Sequence, residues 1–146
     1  MATITPTFTL KANASSATSS PGPMSIALSL SATDSLSVEA VQSKIIDVDG
    51  TNGVLWDAST IASSLAAGTD GAWVFVKNLD SAGHIYIGHG SDTALQGGTE
   101  ATRLMTLQPS EWAWFPWDLT ADIIEDANGS YTNALETWIF IRTGTA

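Results

Sequence analysis

The side chains best equipped for chemistry are carboxylates. Glu111, Asp118, Glu125 and Asp126 lie close together in the sequence. A glycoside hydrolase needs two such groups flanking the scissile bond, one protonated and one ionised. Asp and Glu number 15 against 5 for Lys and Arg, however, giving a formal net charge of −10. In so acidic a chain carboxylates cluster everywhere, and a solvated acidic surface accounts for these four without singling out a pair. His84 and His89 are five residues apart. On one strand they point to opposite faces, which is unsuited to chelating a single ion. Asp47-Val48-Asp49-Gly50-Thr51-Asn52-Gly53 offers oxygen donors for calcium, but the closing carboxylate of an EF-hand loop is replaced by Ala58. That run reads instead as a turn in which Asp and Asn bond their own backbone. There is no cysteine, hence no disulfide, thiolate metal site or thiol nucleophile. No nucleophile elbow, Walker loop, dinucleotide fingerprint or zincin motif occurs. The expectation is a protein that is not an enzyme and uses no cofactor or metal.

Aromatic residues are more informative. Glu111-Trp112-Ala113-Trp114-Phe115-Pro116-Trp117-Asp118 holds three of the six tryptophans. On a strand Trp112 and Trp114 share one face, and Phe115 and Trp117 the other. One core does not readily absorb both faces. One face is then core and the other a subunit interface, or the exposed rings stack on sugars, or both faces are core between two sheets. An interface using Trp112, Trp114 and Trp117 is the preferred reading, because tryptophan is enriched where proteins meet. A second candidate contact lies near the N-terminus. Thr3-Ile4-Thr5-Pro6-Thr7-Phe8-Thr9-Leu10 alternates, with Ile4, Phe8 and Leu10 on one parity. Pro6 restricts such a strand to a sheet edge or to a partner's edge. Residues 1–23, rich in Ser, Thr and Ala and ending in Pro21-Gly22-Pro23, therefore read as an N-terminal arm.

The elements that must position these residues are short strands. Ile26, Leu28 and Leu30 alternate with serines, and Leu36 to Ala40 repeats the pattern before a parity break at Ala40-Val41. Residues 58–67 fit one helical turn or a loop. Ala72 to Leu79 is apolar on both parities, which predicts burial on both faces, and with His84 to Gly88 it reads as a hairpin. Pro109-Ser110 is a turn in which Ser110 favours type I. Leu135 to Arg142 is the closing strand. Eight to ten strands with frequent turn signals predict an all-β fold, an antiparallel β-sandwich of jelly-roll-like form, as a single domain over residues 24–146. With 146 residues the chain suits one domain. Its acidity excludes nucleic acid and anionic membranes as partners. The N-terminus has no basic start followed by an apolar run, which predicts synthesis and use in a cytosol, or exit by a route other than signal-directed export.

Within this frame the second half shows a resemblance. Trp73-Val74-Phe75-Val76-Lys77-Asn78-Leu79, Ile85-Tyr86-Ile87-Gly88, Leu104 through Pro109-Ser110-Glu111, Phe115-Pro116 and Leu135-Glu136-Thr137-Trp138-Ile139-Phe140 follow one another over about residues 70–142. The order resembles small β-sandwich virion proteins of tailed bacteriophages, those of cyanobacteria included. Ser110 departs from it, standing where glycine is typical. The resemblance implies a capsid decoration (cement) protein on the outer capsid surface of the virion. Its partners would be the major capsid protein and further copies of itself, as a homotrimer. It also implies, as alternatives, a tail, collar or fibre-base component. From the residues alone the alternative is a carbohydrate-binding attachment module.

Overall fold

A computed structural model describes residues 2–4, 7–14, 24–31, 36–50, 53–63, 71–90, 95, 103–127 and 133–142. The chain forms two compact units, Met1–Ser37 and Val38–Ala146. In the first, β1 is Ala2–Ile4, β2 is Thr7–Ala14 and β3 is Met24–Ser31. β2 and β3 pair antiparallel, with Phe8 opposite Leu30, Leu10 opposite Leu28 and Ala12 opposite Ile26. The boundary expected between residues 23 and 24 falls inside this unit. Ile4 lies on β1, and Phe8 and Leu10 on β2; their side chains lie outside what is described.

The second unit is an antiparallel β-sandwich. Its strands are β4 (Leu36–Val48), β5 (Gly53–Trp56), β6 (Ala72–Asn78), β7 (Ile85–His89), β8 (Arg103–Leu107), β9 (Trp112–Trp117), β10 (Ile123–Ala127) and β11 (Asn133–Arg142). One sheet has the order β4-β11-β6-β9 and the other β5-β10-β7-β8. A short helix α1, Ala58–Ser63, follows β5. It is capped by Asp57, whose carboxylate accepts the Thr60 amide at 2.7 Å.

The alternation of β11 organises the core. Leu135, Thr137, Ile139 and Ile141 are buried, and their cross-strand partners on β6, namely Asn78, Val76, Val74 and Ala72, are buried too. β9 adds Phe115 and Trp117 to this inner face, and the second sheet supplies Leu55, Ile85, Ile87, Leu107 and Ile123. Trp117 is 6% exposed, and its indole donates to the Ala121 carbonyl at 2.8 Å. It is a core residue. This corrects its grouping with the candidate interface residues, and the pleat is the reason: it shares a parity with Phe115, not with Trp112 and Trp114. β9 lies at the edge of its sheet, where Pro116, lacking an N–H, interrupts no central ladder.

Four other expectations change. Residues 72–88 are not a hairpin, because β6 and β7 belong to different sheets. Buried Asn78 turns the chain from one sheet to the other. Its amide donates to the carbonyls of Gly83 at 2.8 Å and of Leu107 and Gln108 at 3.2 Å each. Asp80 holds the bend by accepting the amides of Ala82 and Gly83. β6 is not buried on both faces; it alternates buried and half-buried residues. The parity break in β4 comes earlier than Ala40-Val41. Ile141 faces Ala40 and Arg142 faces Val38, so Glu39 is the extra residue of the bulge. Finally, Ser110 has φ of 65°. With Pro109 before it fixing a negative φ, and the Glu111 amide donating to the Gln108 carbonyl at 3.0 Å, the turn is type II. The Glu111 carboxylate accepts the Gln108 amide at 2.8 Å and holds this turn closed.

Candidate functional site

The outer face of the β4-β11-β6-β9 sheet collects half of the chain's twelve aromatic residues. Strand register sets Trp138 beside Phe75 and Phe140 beside Trp73. It sets Trp114 beside Phe75 on the other side, with Trp112 beside Lys77. Six rings therefore stand on three adjacent strands. Trp73 and Trp114 stack at 5.8 Å, and Trp114 and Phe140 lie 5.1 Å apart. Trp138 and Phe140 stack at 6.3 Å, and Phe75 and Trp112 lie 6.2 Å apart. Such pairs contribute about 0.5–1.5 kcal/mol each beyond their area, so the rings also stabilise the sheet.

The face stays open to solvent. Trp112 is 50% exposed, Trp138 37%, and on β4 Val41 and Ile45 are 44% and 67% exposed. Its charges stand at its margins. Glu136 pairs in register with Lys77 and accepts the Trp138 indole N–H at 2.9 Å. Asp47 lies opposite Ala134. The Arg142 guanidinium sits over the Trp73 ring at 5.7 Å. Trp112 and Trp114 thus belong to one continuous face, as their shared parity required. Trp73, Phe75, Trp138 and Phe140 complete it and were missed as site residues. The signal was present: β6 and β11 each carry aromatics at alternate positions, the parity opposite to their aliphatic residues.

The four carboxylates have different settings. Glu111 is spent in the type II turn. Asp118 accepts both the amide and the hydroxyl of Thr120, which hold its carboxyl below the usual carboxylate range. Glu125 and Asp126 are buried neighbours on β10 whose side chains take opposite faces. Glu125 shares the parity of the inward Ile123 and Ala127. Its pKa is raised to about 7, first by burial and then by the charges of Asp126 and Asp49, with Lys44 acting in the opposite sense. The Lys44 ammonium donates to the Leu55 carbonyl and lies 4.3 Å from the Trp56 ring centre. Burial lowers its pKa more than Glu125 raises it.

The histidines are separated. His84 bonds the Tyr86 hydroxyl at 2.9 Å. His89 is exposed on the rim of a cleft of about 420 Å³, which Phe115, Trp117, Asp118 and Arg142 also line. Among the described residues no three acidic, histidine or cysteine side chains gather as metal ligands. No described helix is long and apolar enough to cross a membrane. No protein family, curated protein or solved structure matches the chain.

Proposed function

We propose that this chain is a structural subunit that acts by burying surface against other proteins, and that it serves as a capsid decoration protein of a tailed phage. One observation carries the first part: six aromatic rings form a continuous face, with Trp112 and Trp138 exposed and the other four half-buried, on a sheet whose other face is already the core. Large exposed apolar patches mark interaction surfaces. Aromatics anchor such interfaces because they bring much area for little lost side-chain freedom. The virion assignment rests on the sequence resemblance of residues 70–142, with the major capsid protein and further copies of the chain as partners. β2, paired with β3 along one edge, would add strand-edge contacts by pairing along its other edge with a neighbouring subunit.

The test is the copy number of the chain in purified phage particles that encode it, by quantitative mass spectrometry. Hundreds of copies support decoration. Six to a few dozen copies assign it to the tail, collar or fibre base, and absence from particles overturns the virion reading.

A glycan-binding role is the second reading, favoured by Trp112, the most exposed of the rings. The stacking of Trp73 on Trp114 and of Trp138 on Phe140 weighs against it. It occupies ring faces that a sugar would need.

A further inference from the structure

We infer that Lys44 and Glu125 form a pH-operated clasp on the edge strand β5. With Glu125 protonated, Lys44 ties β4 to β5; with Glu125 ionised, its carboxylate draws Lys44 away and the tie is released. The clasp is independent of the aromatic face.

The tie is visible in the hydrogen bonds. β5 has four residues and lies at the edge of its sheet. It meets β10 at three register positions, Ile123 opposite Trp56, Ile124 opposite Val54 and Glu125 opposite Gly53. The register skips Leu55, which makes it the extra residue of a bulge. The Lys44 ammonium donates to the carbonyl of this residue and lies 4.3 Å from the Trp56 ring centre. Lys44 stands opposite Thr137, whose hydroxyl accepts the Trp56 indole N–H at 2.9 Å. One ammonium on a long, flexible stem thus joins β4 of one sheet to β5 of the other.

Glu125 supplies the switch. Its side chain is inward and 7% exposed. Gly53 leaves room for it, since a Cβ at residue 53 would lie 2.2 Å from Glu125 Oε1. Glu125 Oε2 has no hydrogen-bond partner among the described residues. A neutral carboxyl tolerates that setting, whereas a carboxylate there needs a donor. The charged groups around it are Asp49, which follows β4, its β10 neighbour Asp126, and Lys44. Its register partners Gly53 and Ile87 carry no charge, and neither do the inward Leu135, Thr137 and Ile139 of β11. Asp126 and Asp49 oppose ionisation, so Lys44 is the one cation among the described residues placed to answer it. Burial, then Asp126 and Asp49, raise the Glu125 pKa to about 7, which sets the exchange near neutrality. Below that pH the clasp is closed. Above it the Leu55 carbonyl loses this donor, and β5 loosens from the edge of β10, the kind of edge on which another strand docks.

The experiment is hydrogen exchange of the Gly53–Trp56 amides in the full chain at pH 5 and pH 8, corrected for the intrinsic rate, in a low urea series. Protection in the parent chain should be about tenfold lower at pH 8, with little dependence on urea, as local opening requires. Glu125→Gln should keep the acid level of protection at both pH values. Lys44→Met should show the lower level at both, and should move the Glu125 midpoint, read by carboxyl carbon NMR, upward because the carboxylate has lost its cation. Equal protection of the parent at the two pH values overturns the clasp, as does a pH-dependent loss that persists in Glu125→Gln. So does a Glu125 midpoint that Lys44→Met leaves unchanged. A loss with the same urea dependence as the β11 amides assigns the effect to global unfolding and also overturns it. Should Lys44→Met fail to fold by circular dichroism, the parent and Glu125→Gln still decide.

Discussion

At the residue scale, the most consequential side chain outside the aromatic face is Glu125. Its pKa rises from 4.5 in the unfolded chain to about 7 in the folded one. The folded protein therefore holds this proton more tightly. The stabilisation is whole below about pH 4.5 and is lost as pH rises through 7. Glu125→Gln mimics the protonated form. It should stabilise the protein at pH 8 by about 1–2 kcal/mol, allowing for solvent screening, and change little at pH 4. Urea unfolding at the two pH values measures this, and equal effects at both would contradict it. Ser110 gives a second residue-scale expectation. A left-handed backbone costs a side-chain-bearing residue about 1–2 kcal/mol, which glycine avoids. Ser110→Gly should raise stability by about 1 kcal/mol in the same assay. The sequence reading favoured a type I turn at this position. Pro109 permits both types, and the contacts of Glu111 with Gln108 decide between them.

At the element scale, strand parity was legible and sheet membership was not. The alternation in β11 and the two faces of β9 follow from side-chain period alone, so Trp112 and Trp114 could be separated from the core. Whether β6 and β7 pair or cross between sheets depends on Asn78, whose three carbonyl acceptors lie up to 30 residues away in sequence. No local pattern encodes such a contact. Asn78→Ala leaves buried carbonyls without a donor and should cost about 2–3 kcal/mol, visible as a lower denaturation midpoint with an unchanged slope. A loss within error of zero would show that the crossing is held by other contacts. The full extent of the aromatic face was hidden for a related reason. Phe75 and Trp138 are 63 residues apart in sequence (138 − 75) and Trp73 and Phe140 are 67 apart (140 − 73), and only the register of β6 against β11 brings them together.

At the scale of the whole molecule, the N-terminal unit and the sandwich can be tested apart. Removing residues 1–20 should leave the melting transition of the sandwich nearly unchanged, since β4 to β11 form a compact unit of their own. The same truncation should reduce incorporation into particles. Unfolding of the truncated chain would instead make those residues part of the sandwich. The central claim is that the outer face of the β4-β11-β6-β9 sheet is buried in the assembled state, and oxidative footprinting of the tryptophans tests it most directly. Trp112 and Trp138 should oxidise readily in the dilute chain, and Trp117, already in the core, should oxidise slowly. In assembled particles Trp112 and Trp138 should fall to the rate of Trp117. Equal oxidation of Trp112 and Trp138 in the dilute and assembled states would contradict the account.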